Sequence, residues 1–499
     1  MSPDFRLATE EHAGVRVCSS FRDPAGILVP YQGRILRMVN GSGLEDLHAF
    51  LNSKAGDLRT GNGGVVRTTV LSEQEKRELL RDPALRAISG DVEVAEILEH
   101  ERISFPSFPY EWAPEMLEAA GQLTLTLARK CLNEDLGLKD ATPLNVLFRG
   151  TEPVFIDVLS FERRDPLDPR WLPHAQFVRT FLLPLMASRH FGLPIAQSLL
   201  TRRDGLEPEE LYRWLGPLDR LRPRFLSNVS IPVWLGSRHN RQDTTIYEQK
   251  RVDNPEKARF IVDSLLRGLQ KTLRSVAPPS EQRSAWSGYM TGNNNYSQQQ
   301  FEAKELFVSD VLKEFPPATV LDVGCNTGVF SALAARSGAS VVAIDYDPVV
   351  TGQVWRRARA EKLNILPLVV DLTRPTPAVG WRNNEWPSFL ERASGKFDTV
   401  LMLAVIHHML VTERVPLPEI MKMAAQLTTK LVVVEFIEPE DSMFRQLARG
   451  REHLHHDLTR AQFDQVCQRE FHIVRSMRLP GAHRSIYLLQ KKAFTSCAT

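Results

Sequence analysis

The stretch Thr319-Val320-Leu321-Asp322-Val323-Gly324-Cys325-Asn326-Thr327-Gly328-Val329-Phe330-Ser331 decides the fold of this chain. An apolar run leads into it, a loop bracketed by Gly324 and Gly328 follows, and a helical pattern leaves it. That order predicts a strand, a tight turn and a helix N-terminus, an arrangement that presents backbone N–H groups to an anionic or polar cofactor. Working outward, the pattern keeps alternating. Val320–Val323 reads as a strand and Val329–Arg336 as its helix, stopped by Gly338. Val341–Ile344 is the second strand and ends in Asp345; Val349–Lys362 is the next helix. Ile365–Val370 is a third strand ending in Asp371, made irregular by Pro367. Thr399–Leu403 and Leu431–Phe436 follow as strands, and His472–Ser476 with Ser485–Gln490 reads as a closing hairpin. Such alternation predicts an α/β fold with helices on both faces of a mainly parallel sheet, and ligands there bind at the carboxyl ends of the strands.

The motif Asp322-Val323-Gly324-Cys325-Asn326-Thr327-Gly328 resembles the first motif of class I S-adenosylmethionine-dependent methyltransferases, with Asn326 where many members carry a glycine. Asn tolerates positive φ better than other non-glycine residues, so the departure is mild. The resemblance covers about residues 286–492 and implies a Rossmann-like sheet and S-adenosyl-L-methionine as cofactor. It implies that Gly324 and Gly328 let the backbone approach the methionine part, that Asp345 accepts the ribose hydroxyls, and that Asp371 receives the adenine amino group. It places Asp322, Cys325, Asn326, Leu372, Leu403 and Ala404 beside the same cofactor. A dinucleotide is the competing ligand of such a fold, but the chain lacks Gly-x-Gly-x-x-Gly. His407 and His408 follow strand four, where the resemblance puts the methyl group; a histidine there is a candidate general base, and at most one of the pair should face it. Glu435, Glu438, Glu440 and Asp441 form an acidic cluster near the same sheet edge, read as a solvated loop or substrate contact rather than a metal site. Arg449–Arg460 is a cationic stretch read as a solvated helix face.

The rest of the chain is a different object. Gly33–Val39 reads as a strand, Gly41-Ser42-Gly43 as a break and Leu44–Leu51 as a short helix; Gly61, Gly63 and Gly64 mark a turn before Val65–Leu71. Neither glycine cluster has the spacing of a phosphate loop. From Pro114 the residues Met116, Ala119, Ala120, Leu123 and Leu127 give one helical face. Asn145–Phe148, a turn at Gly150 and Val154–Asp157 read as strand, turn, strand. Residues 165–275 read as mainly helical, with Phe177–Leu183 halted by Pro184 and an apolar stripe along Pro255–Val276. Ala277–Gln282 is the linker candidate, which divides the chain into 1–280 and 281–499.

Asp140, Asn145 and Asp157 resemble the catalytic core of the aminoglycoside- and choline-kinase group, in which a catalytic Asp stands five residues before a metal-binding Asn and a second metal-binding Asp follows the next strand. That implies an α+β, kinase-like N-terminal half and a Mg-ATP site. Leu138 stands where the group has His, and no glycine-rich loop with its lysine is placed upstream. Over most of its length the chain also resembles a bacterial group of nodulation-type methyltransferases, through Phe108-Pro109-Tyr110-Glu111-Trp112, Lys139-Asp140-Ala141, Val154-Phe155-Ile156-Asp157 and Ser160-Phe161-Glu162.

Composition narrows the function classes. At 499 residues the chain needs roughly two to four domains. A net charge of +2 gives no strong nucleic-acid signal. Five scattered cysteines, Cys18, Cys131, Cys325, Cys467 and Cys497, contain no CxxC pair, so neither a zinc site nor a disulfide framework is expected and a reducing cytoplasm fits. Asp4, Glu10 and Glu11 argue against a secretory signal, and no apolar run reaches membrane-spanning length. The expected reaction is methyl transfer from S-adenosylmethionine to an oxygen or nitrogen of a small-molecule or glycan acceptor held by the N-terminal half. The alternatives are a bifunctional methyltransferase and phosphotransferase, and a non-catalytic S-adenosylmethionine-binding protein.

Overall fold

A seven-stranded sheet forms the C-terminal half of the computed structural model, which describes residues 22–56, 64–90, 93–236, 251–279, 283–284, 286–287 and 296–492. Gly61, Gly63, Ser280–Gln282, Gly288-Tyr289, Asn293–Asn295, Cys18 and Cys497 lie outside the described residues. The N-terminal half begins with β1 (Gly26–Tyr31), β2 (Arg34–Val39), β3 (Thr68–Val70) and β4 (Glu96–His100), an antiparallel sheet in the order β1-β2-β4-β3. One face of it packs Val29, Leu36, Met38 and Ile97 against Leu85 of the helix Pro83–Ser89. The other turns Val39 and Leu98 into the main core. Two short hairpin-like pairs follow: β5 (Leu136–Leu138) with β8 (Phe161–Arg163), and β6 (Val146–Arg149) with β7 (Glu152–Phe155), the latter turning at Gly150 with φ +58°.

The helix Pro114–Leu132 starts with Pro at its first turn, where the missing N–H costs nothing. It lies between the helix Pro255–Val276 and the helix Pro348–Glu361 of the C-terminal half. Gly352 allows the second approach: a Cβ there would collide with the Glu115 carboxylate, which pairs with Arg356. The helix expected to stop at Pro184 instead runs on. His174–Phe177 is α, Val178–Leu182 widens to a π-turn, and Leu183–Phe191 resumes α with Pro184 in its first turn. The π-turn absorbs the hydrogen bond that Pro184 cannot donate.

The large sheet comprises β9 (Thr319–Val323), β10 (Ser340–Asp345), β11 (Ile365–Val369), β12 (Phe397–Met402), β13 (Thr428–Ile437), β14 (Phe471–Arg478) and β15 (Arg484–Lys491) in the order β11-β10-β9-β12-β13-β15-β14. Strands β9 to β13 are parallel, and β15 and β14 close the sheet antiparallel. Pro367 leaves β11 regular, paired with Ala343, because β11 is an edge strand and one of its sides has no ladder to interrupt. One face packs Val320, Val341, Leu401 and Val433 against the helix Gln298–Glu314. The other face, with Leu321, Val342, Val400 and Val432, belongs to the same core as Phe155, Met116 and Leu266 of the N-terminal half. A buried ion pair crosses there: Arg392 binds Glu111 and the Pro106 carbonyl (2.6 Å), with Phe105 and Phe108 against its guanidinium. Among the described residues no helix is long and apolar enough to cross a membrane.

Candidate active site

The strand order reverses between β9 and β12, and the chain leaves these neighbours in opposite directions, opening a crevice at their carboxyl ends. A cavity of about 350 Å³ occupies it. The loop after β9 is held open by two amides: the N–H groups of Gly324 (2.9 Å) and Cys325 (3.0 Å) both donate to the Ile344 carbonyl on β10. Gly324 takes φ +67° and Asn326 φ +47°, so the asparagine stands in the left-handed region expected of it. Gly324, Cys325 and Asn326 line the cavity. Gly328 does not. It caps the helix Val329–Arg336 at φ +74°, and a Cβ there would stand 2.9 Å from Val354, so its lack of a side chain serves helix packing.

Asp322 and Asp345 are both buried in the cavity wall. Asp345 accepts N–H groups from Asn326 and Asp347, each at 3.0 Å. Asp322 accepts the Ser331 hydroxyl at 2.6 Å. Burial raises the Asp322 carboxyl to about 7, with the Asp345 charge adding to it; burial raises Asp345 to about 6 against the pull of its backbone donors. Asp371, just past β11, accepts the amide (2.9 Å) and hydroxyl (2.6 Å) of Thr373. Asp371, Leu372, Leu403 and Ala404 all line the cavity, and Ala404 holds φ +56°, a strained conformation for alanine at the end of β12.

The adjacent histidines separate. His408 lines the cavity, its ring edge-on to Trp286 at 5.4 Å. His407 is buried behind it, with Nδ1 lacking a partner among the described residues. Burial, reinforced by the charges of His408, Arg484 and Lys304, pushes the His407 pKa well down; burial alone lowers His408.

The acidic cluster, read as a solvated loop or substrate contact, divides: Glu438 and Glu440 stand at the surface, whereas Glu435 and Asp441 are buried. Glu435 at the end of β13 is fully buried and accepts from Lys304 (2.7 Å) and the Tyr296 hydroxyl (2.8 Å), while Asp441 takes Arg484 in two bonds at 2.8 and 3.0 Å. Glu438 pairs instead with Arg478 and His483 at the surface. Lys304 and Tyr296 line the cavity and escaped the sequence reading. The available signal was a lysine between Phe301 and Phe307 on the apolar side of the helix Gln298–Glu314.

In the N-terminal half, Asn145 and Asp157 meet through Ser160: Asn145 donates to the Ser160 hydroxyl (3.2 Å), which donates to Asp157 (2.6 Å). Asp140 stands apart and accepts from Gln176 at 3.0 Å. The cation missing from the sequence reading is Arg37 of β2, buried, with Nη1 2.7 Å from Asp157.

Residues 296–490 match the family model described as a methyltransferase domain. The whole chain is similar to the nodulation protein NoeA of Rhizobium meliloti (strain 1021), 29% identical over 490 residues that cover 98% of each chain. Among solved structures, the N-methyltransferase NodS from Bradyrhizobium japonicum WM9 is 13% identical, covering 40% of this chain and 99% of that one with a TM-score of 0.30. The bifunctional kinase-methyltransferase WbdD is 17% identical, covering 42% of this chain and 44% of that one with a TM-score of 0.29. The matched family, spread over the loop, the acids and the sheet just described, makes residues 296–490 a class I S-adenosylmethionine-dependent methyltransferase domain, and the chain an enzyme with that cofactor.

Proposed function

We propose that the chain transfers the S-adenosylmethionine methyl group to an oxygen or nitrogen of a small-molecule or glycan acceptor, with the cofactor lying in the cavity at the ends of β9, β10, β11 and β12. The observation that carries this reading is the convergence of Gly324, Asn326, Asp345 and Asp371 on one crevice. In this assignment the Asp322–Gly328 loop takes the methionine end, Asp345 both ribose hydroxyls, and Asp371 the adenine amino group, with Leu372, Leu403 and Ala404 as apolar walls. Methyl transfer is an in-line displacement, so the protein's main contribution is alignment of donor and nucleophile. His408, neutral and facing the cavity, is the candidate to accept the nucleophile's proton; His407, buried behind it, is not. The reading assigns residues 281–499 to catalysis and 1–280 to holding the acceptor. Calorimetry with S-adenosylhomocysteine tests it: Asp345→Ala and Gly324→Val each abolish binding, and unchanged affinity in both would sink the assignment.

A second reading, phosphotransfer by the kinase-like half, is favoured by the Asn145–Ser160–Asp157 chain. It requires a thermal shift with Mg-ATP that is lost in both Asn145→Ala and Asp157→Ala; absence of a shift in the unmodified protein refutes it.

A further inference from the structure

A second cavity of about 350 Å³ shares no lining residue with the first. One side comes from the N-terminal half: Tyr110, the Thr142–Leu144 segment between Asp140 and Asn145, Thr201 and Arg203. The other side is the loop 379–386 of the C-terminal half. That loop is built with care. Val379 and Trp386 exchange backbone hydrogen bonds of 3.0 and 3.2 Å, closing it, and the Trp381 amide donates to Glu385 at 2.7 Å. Arg382 and Asn383 both hold positive φ, +55° and +56°, within the single turn Trp381–Asn383, a conformation strained for arginine and milder for asparagine. The result stands Trp381 at the rim, 58% exposed, although a tryptophan is normally well buried.

The charges are unequal. Glu385 is consumed by Arg22: burial pushes its carboxyl up, but the Arg22 bond, the Trp381 amide and the charges of Arg22 and Arg203 more than reverse this, so it stays ionised. Arg203, exposed on the same wall, is the lining cation that makes no ion pair among the described residues, while Asp204 beside it acts on Arg22. Tyr110 adds a buried hydroxyl with no partner among the described residues.

An exposed indole face, threonine hydroxyls and one guanidinium without an ion pair suit a ligand with an apolar C–H face, several hydroxyls and one negative group. We propose that this cavity is a binding site for an anionic sugar, its pyranose ring against Trp381 and its phosphate or carboxylate at Arg203. The site is independent of the cofactor assignment above, although the chain segment that forms its wall begins at Asp371, in the cofactor cavity.

The test is titration of the full chain with glucose 6-phosphate, followed by tryptophan emission and calorimetry. Saturable binding is expected, about tenfold tighter than for glucose and without an emission change from inorganic phosphate alone. Trp381→Ala should remove the emission change, and Arg203→Ala should weaken binding about tenfold, while both variants keep the parent affinity for S-adenosylhomocysteine. Both side chains are exposed, so neither variant threatens folding. No saturable binding, binding indifferent to both substitutions, equal affinity for glucose, or a response to adenosine monophosphate but not to the sugar phosphate would each overturn the proposal.

Discussion

Asp322 and Asp345 give the cofactor cavity a pH signature of its own. Their carboxyls hold protons to about 7 and about 6 in the folded chain, against an unfolded value near 3.8. A carboxyl that binds its proton more tightly when folded stabilises the fold at low pH. That contribution drains away as pH climbs from about 4 through about 7. The buried His407, His408 and His100, whose pKa values are lowered, act in the opposite sense, so the carboxyl share is read by difference: Asp322→Asn should flatten the fall in melting temperature between about pH 4 and pH 7 relative to the parent protein. Under the proposed assignment, ribose hydroxyls donating to Asp345 would favour its ionised form, so binding near pH 6 should release protons. Calorimetry in buffers of different ionisation enthalpy reads that release directly, and proton uptake would contradict it. Gly328 makes a separate prediction. Gly328→Ala should cost about 1–3 kcal/mol of stability, through positive φ and contact with Val354, measured by urea unfolding. It should weaken cofactor binding far less than Gly324→Val. The glycine spacing was legible in the sequence, but the division of labour between the two glycines was not, because Val354 lies on another helix. The His407 and His408 pair shows the same limit: neighbouring letters end with one ring in the cavity and one behind it.

At the scale of elements, strand and helix existence was read well from periodicity, and the errors cluster at polar residues inside apolar patterns. Lys304 and Arg37 each interrupt an apolar run, and each proves to be a buried cation whose carboxylate comes from a distant strand end or loop. No local pattern names such a partner. The Lys304–Glu435 pair ties the helix Gln298–Glu314 to β13 with both groups almost wholly out of water. Removing one partner strands the other charge, so Lys304→Met should cost about 3–5 kcal/mol in chemical denaturation. The double variant Lys304→Met/Glu435→Gln should recover much of it. Equal losses in single and double variants would show that the pair is not coupled.

At the scale of the whole molecule, the division near residue 280 describes the order of the chain better than its packing. The β9–β13 face and the N-terminal helices share one core, and Arg392–Glu111 is buried where they meet. Scanning calorimetry of the full chain should show a single unfolding transition. Arg392→Ala should lower it through a cost of about 3–5 kcal/mol, because Glu111 pairs with no other cation among the described residues. Two resolved transitions would argue for independent halves. The proline-rich stretch at Pro278-Pro279 stands out in the sequence, but the shared core does not, since the stripe along Pro114–Leu132 reads the same whichever body covers it.

That helix, buried on two sides, also has a consequence for synthesis. One of its covers, the helix Pro348–Glu361, is added about two hundred residues later. At ribosomal speeds of roughly 5–20 residues per second, Met116, Leu117 and Ala120 must wait some tens of seconds for a complete surrounding. The nascent N-terminal half should therefore engage holding chaperones until that cover arrives, and chains truncated between residues 280 and 345 should partition into the insoluble fraction on expression; a soluble, monomeric 1–280 fragment would contradict this.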